Sequence, residues 1–222
     1  MLWKRVAFGL LLASALAMFA WTLRRFGRQI LAGRPENRFD RPMDRLGSVL
    51  AYFLGQKKVV EHVQIPSRRA RGLVTAIGSS YHVLIFWGFL VITVGTGETL
   101  VQGLFPSFSL ALLLGGAASS WLATIIDWSN LIVLAMIGFA VVRRIVFVPR
   151  LIPMSKDAAV ILGAIAALMV THFGVHAFAA VAGGAHPPGY TLSDRIGASL
   201  AGVPAGTAHL LSATNWWIHV TV

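Results

Sequence analysis

The chain has 222 residues, 56% of them hydrophobic and 12% charged, with a mean hydropathy of +0.73; soluble domains carry about 25% charged residues, so the composition marks an integral membrane protein folded as one bundle. The net charge is +11, yet 18 of the 19 Lys and Arg residues stand in three clusters beside apolar runs, an arrangement of topology signals that argues against nucleic acid as the partner. No cysteine is present, which excludes disulfides, thiolate-bound zinc and cysteine-ligated iron–sulfur clusters within these residues and leaves the seven histidines as the main candidates for ligation.

The first apolar run, 6–23, follows Lys4 and Arg5 and is followed at once by Arg24, Arg25 and Arg28. A short basic region before an apolar core resembles a signal peptide, but a basic flank directly after the run favours a retained transmembrane helix. Residues 24–71 hold twelve Lys and Arg and are predicted to be cytoplasmic, which places the N-terminus outside. Within them Leu46, Val49, Leu50, Phe53 and Leu54 recur at helical spacing. They form either a helix lying on the inner membrane surface or a docking face for a soluble redox partner.

A second span, 72–94, carries no charge and has His82 near its middle. An ionisable side chain at that depth is costly unless something satisfies it. An external connection follows over 95–120, with an apolar run, 108–118, too short to cross. The third span, 121–142, ends at Arg143 and Arg144 and carries Asp127 and Asn130, three residues apart on one face. They are a hydrated or capped pair, or else an acceptor for a proton or a quinol hydroxyl. The second cytoplasmic loop, 143–157, contains Pro149 and Pro153 as helix breakers. The fourth span, 158–182, follows Asp157 and presents His172 and His176 on one face. After an external loop broken by Pro187, Pro188 and Gly189, a fifth helix, 207–222, carries His209 and His219. It is expected to be truncated at Val222, because a span ending there leaves carbonyls unsatisfied in lipid. The fold expected is therefore all-α, a membrane bundle of five helices.

Four histidines fall within the predicted spans: His82, His172, His176 and His219. Imidazoles on two helices at similar depth are the usual way a helical bundle grips a b-type haem. His82 lies about 15 Å from the inner end of its helix, His172 about 22 Å and His176 about 28 Å from the inner side, and His219 about 18 Å from the outer start of its own. Depth allows His219 to pair with His82 or with His172. The competing interpretation makes these side chains interhelical hydrogen-bonding or proton-relay groups in a proton-conducting or transport subunit without haem. Tyr81, Phe86, Trp87, Phe89, Phe173, Trp216 and Trp217 serve equally well as porphyrin walls or as ordinary packing. Small residues at Gly78, Ser79, Ser80, Gly163, Ala164, Ala166 and Ala167 permit close helix approach. His62, His186 and His209 are placed in loops or at an interface.

The helix plan, with the strings RFDRPMDRLGSVLAYFLGQKKV (38–59), SSYHVLIFWGFLVITVGT (79–96) and NWWIHV (215–220), resembles the cytochrome b subunit of respiratory nitrate reductase and the membrane subunit of heterodisulfide reductase. It is closer to membrane-bound iron–sulfur oxidoreductases that carry such a domain at the N-terminus and are thought to pass electrons from electron-transfer flavoprotein to menaquinone. The resemblance implies that His82 ligates an inner haem and His219 an outer one. The inner haem's second ligand would lie beyond Val222. Where nitrate reductase has a further histidine on its second helix this chain has Ile92, so His172 or His176 would complete an outer site. A single-haem protein is the alternative. The resemblance further implies one or two b haems, menaquinone as substrate, 4Fe-4S clusters only outside this segment, an iron–sulfur part expected beyond residue 222, and residence in the cell's inner membrane.

Overall fold

Pro106 and Gly115 mark where the helical course breaks between the second and third long apolar runs. The computed structural model describes residues 2–34, 36–37, 39–61, 73–146, 154–183 and 188–222, with only the backbone course for 60–61 and 73–80. The predictions that concern His62, Pro149, Pro153, His186 and Pro187, and the side chains of Gly78, Ser79 and Ser80, lie outside what is described.

Helix α1 spans Leu2–Leu31, α4 Leu73–Leu104, α6 Gly116–Val146, α7 Lys156–Val181 and α9 Ala205–Thr221. Shorter helices are α2 (Pro42–Ser48), α3 (Lys57–Glu61), α5 (Ala111–Leu114) and α8 (Thr191–Ser199), and among the described residues there is no strand. Helix α1 overruns the predicted 6–23, because arginine is a good helix former and a charged flank does not break a helix. Helix α4 continues to Leu104 instead of stopping at Val94. Its stop comes with Phe105 and Pro106, since the residue before proline disfavours the helical region. Gly115, at φ 80°, separates α5 from α6. Ser155 caps α7 by accepting from the Ala158 N–H at 3.1 Å, with Asp157 in the first turn.

Among the described residues, four helical stretches are long and apolar enough to cross a membrane: Leu2–Leu31, Tyr81–Leu104, Gly116–Val146 and Lys156–Val181. Helix α9, with 17 residues, is shorter than these, so the fifth span expected from the sequence is not among them. The predicted amphipathic stretch forms α2 and a π-helical continuation, Val49–Leu54. Leu46, Val49, Leu50 and Phe53 are exposed on it, and Phe53 meets Phe86 of α4 edge-on at 5.3 Å between ring centroids. The Arg45 side chain ties it back to the Asp40 carboxylate and carbonyl.

Helix α6 is central. Its buried residues Ala123, Ile126, Asp127, Asn130, Val133, Ile137 and Ala140 recur every three or four positions, one face turned to the interior. Val133 and Ile137 pack with Ile92 of α4 and Met169 of α7. Helices α7 and α9 approach closely at Gly174, where a Cβ would collide with the Asn215 side chain, and Ser212 Oγ donates to the Val175 carbonyl at 3.0 Å. Helix α1 is peripheral, with Phe8 its buried residue.

The segment before α8 is fixed by Gly189. Its φ of 116° is open to glycine at little cost, a Cβ there would run into the Ser120 carbonyl of α6, and its own carbonyl accepts from Thr124 Oγ1 at 2.8 Å. Gly189→Ala is expected to lower stability by about 1–3 kcal/mol, read as an earlier midpoint of SDS-induced unfolding in mixed micelles. An unchanged midpoint would mean that this turn does not anchor α8.

Candidate functional site

A network of polar groups joins α6, α7 and α8. Asp127 has no solvent exposure. Its Oδ2 accepts from the Leu192 N–H at 2.7 Å and the Ser193 N–H at 3.0 Å. Its Oδ1 accepts from Ser193 Oγ at 2.7 Å and faces His172 Nε2 at 3.3 Å. The two backbone donors belong to the first turn of α8, whose N-cap residue Tyr190 provides no side-chain cap. Asp127 is therefore an N-cap supplied from another helix, one turn along α6 from the Thr124 that holds Gly189. The sequence placed Asp127 and Asn130 on one face but had no signal for this partner, because the contact spans 66 positions. Asn130 is also fully buried. Its amide donates to the Ile126 carbonyl at 2.9 Å, and its Oδ1 is the buried side-chain acceptor left without a partner among the described residues, a place for a water or ligand group.

Three of the four membrane histidines meet beside this network. The His172 and His176 rings lie 4.7 Å apart between centroids, and His176 stacks on Tyr190 at 3.7 Å. His219, buried on α9, places Nδ1 3.0 Å from Thr171 Oγ1. His172, His176, His219 and Tyr190 together border a small void with Ile92 and Thr96.

His82 stands apart. It lines an apolar cavity of about 390 Å3 between α4, α6, α7 and α9, with Phe86, Phe89, Ile92, Met169 and His219 also in its wall. Ile92, Thr96 and His219 line both openings, whereas His82 lines only the larger one. Among the described residues none hydrogen-bonds the His82 ring. The remaining aromatics serve other packing: Tyr81 lies against Phe139, Trp216 against Phe8 and Trp217 against Trp3. His209 is exposed on α9.

A second cavity, about 370 Å3, opens between the end of α4, α5 and the start of α6. Glu98, Leu110, Leu122, Ile126 and Tyr190 line it. Glu98 Oε1 accepts from the Leu110 N–H at 2.8 Å and from Gln102 Nε2 at 3.3 Å. Burial, with the Glu98 and Asp127 charges adding, pushes the Tyr190 phenol well above its ordinary range, so it stays protonated and able to donate at any physiological pH. Leu112, Leu113 and Leu114 of α5 are exposed beside this cavity, a greasy lip suited to a ligand that arrives through lipid.

Long apolar helices around a histidine-lined apolar cavity are the features of a helical membrane protein. The chain is 24% identical over 214 residues to the probable iron-sulfur-binding oxidoreductase FadF of Bacillus subtilis (strain 168), which covers 94% of this chain and 27% of that protein. It thus spans about a quarter of the length of the relative it matches. No family model matches the chain, and no solved structure matches it.

Asp127→Ala is expected to cost about 3–5 kcal/mol, because His172 and the first turn of α8 lose a buried charged partner together. Asp127→Asn, which keeps one acceptor oxygen, should cost less. Hydrogen exchange over 191–199 would read the difference; equal protection in all three proteins would remove Asp127 as the cap.

Proposed function

We propose that this chain is the membrane electron-transfer part of a quinone-linked oxidoreductase, holding haem b in the apolar cavity between α4, α6, α7 and α9. One observation carries this reading: an apolar cavity walled by Phe86, Phe89, Ile92 and Met169 has the His82 and His219 imidazoles in its lining, a setting in which a flat apolar macrocycle could be held by nitrogen ligands. The similarity to an iron–sulfur-binding oxidoreductase supports the electron-transfer role. Haem b, when bound, supplies one-electron redox chemistry. His82 and His219 are the candidate ligands; one or two haems would be held, with His172 and His176 beside His219.

In this reading α9, about 26 Å long, completes five spans, the N-terminus is outside, and the basic segment containing α2 and α3 faces the cytoplasm. There it would meet a cytoplasmic iron–sulfur domain or subunit, with electron-transfer flavoprotein as a donor further upstream. The cavity at Glu98 and Tyr190 is the quinone candidate. The phenol donates to a quinone carbonyl, the carboxylate accepts from a quinol hydroxyl, Leu110, Leu122 and Ile126 exclude water, and the apolar lip of α5 admits menaquinone from the bilayer.

The purified protein should show a b-type alpha band in its reduced-minus-oxidised spectrum, with one or two haems per chain by pyridine haemochrome, and His82→Ala should lower that content. A colourless protein of full helical content would overturn the cytochrome reading in favour of histidine-borne proton transport. At the second cavity, Glu98→Gln should weaken binding of a hydroxyquinoline N-oxide, followed by quenching of its fluorescence, by about tenfold or more. Unchanged affinity would place the quinone elsewhere.

A further inference from the structure

We infer that Thr171 is a positioning residue: its hydroxyl accepts a hydrogen bond from His219 Nδ1–H, fixes the ring as the Nδ1–H tautomer, and leaves the Nε2 lone pair for a metal in the cavity. The inference rests on the haem reading given above and adds to it the group that prepares the ligand.

The argument follows from counting protons. A threonine hydroxyl has one to donate. Thr171 Oγ1 lies 2.7 Å from the Ala167 carbonyl and 3.1 Å from the Leu168 carbonyl. Both are acceptors only, and the Ala167 carbonyl is the shortest of the three contacts, which favours the proton staying within α7. With the proton there, the oxygen accepts from His219 Nδ1, 3.0 Å away, and Nδ1 carries the hydrogen. Thr171 and His219 are both buried, so water does not substitute. His172 is arranged the opposite way: its Nε2 faces the Asp127 carboxylate, an acceptor, and so carries its own hydrogen. Neighbouring hydrogen bonds thus give two adjacent imidazoles opposite tautomers, and His219 is the one whose outer nitrogen is open to ligation.

The test uses the haem-loaded full chain in detergent, comparing wild type with Thr171→Val, Thr171→Ser and His219→Ala. The readouts are haem per chain, the rate of haem transfer to apomyoglobin, and the midpoint potential of the b-type band. T171V should release haem at least tenfold faster and shift the potential upward, because an imidazole without its Nδ1 partner donates less charge to the iron. T171S should behave as wild type. If T171V loses its helical signal, Thr171→Ala removes the same acceptor without the added methyl. If the hydroxyl-free variant matches wild type while H219A loses haem, Thr171 does not position the ligand and the haem reading stands. If H219A retains all its haem, or the wild type is colourless, the ligand assignment itself falls and the inference with it.

Discussion

A carboxylate without solvent survives folding only when its acceptor sites are filled. Asp127 meets that condition by drawing two backbone N–H groups and a hydroxyl from α8 and an imidazole from α7 onto one side chain of α6. Helix α8 is short, and a nine-residue helix has little stability of its own. Its place is dictated by that carboxylate and by Gly197, whose Cα approaches the Ala177 carbonyl so closely that an added Cβ would lie 2.9 Å from it. With α8 fixed, Tyr190 is carried onto the His176 ring and forms the partition between the cavity at Glu98 and the histidine cluster.

The interior divides accordingly into two chemistries. Near α8, hydrogen bonds hold His172 and His219, and stacking holds His176 on Tyr190. Along α4 toward His82 the walls are aromatic and aliphatic. Ile92 marks the boundary, because it belongs to the hydrophobic core with Val133 and Met169 and also borders the void beside the three histidines. A flat apolar group and a polar ring substrate could therefore be held within one bundle, each against surfaces of its own kind, with Tyr190 and His219 at the junction.

The long helices were legible because hydropathy and charge clusters are local signals. The helix ends were misjudged where the determinant was a backbone breaker instead of a change in polarity: α4 stops at Leu104, just before Pro106, ten residues later than the drop in hydropathy suggested. Helix α8 was missed for a different reason. Its sequence, TLSDRIGAS, is short and polar on average, with Leu192 and Ile196 as its large apolar residues, and its cap comes from Asp127, far away in the chain. Of the site, the shared face of His172 and His176 followed from their spacing. The gathering of His219 with His172 and His176 did not, because spacing gives depth along a helix and not which faces of α7 and α9 meet. The role of Thr171 was invisible, since a threonine inside an apolar helix reads as ordinary until the atom opposite it is known.

Helix α1 is attached in a manner unlike the others. One aromatic side chain, Phe8, is inserted between the glycine notch at Gly103 and the Trp216 ring, with Lys4 over the same indole at 3.9 Å, while nearly all of its remaining surface faces outward. In the two-stage view of membrane folding, a helix so apolar is stable across the bilayer before it touches its neighbours. Its docking is then a late event resting on a few aromatic contacts. Helices α4 to α9 would form the working core first, and α1 would behave as a gasket laid along the seam between α4 and α9, shielding that seam from lipid without contributing to the chemistry inside.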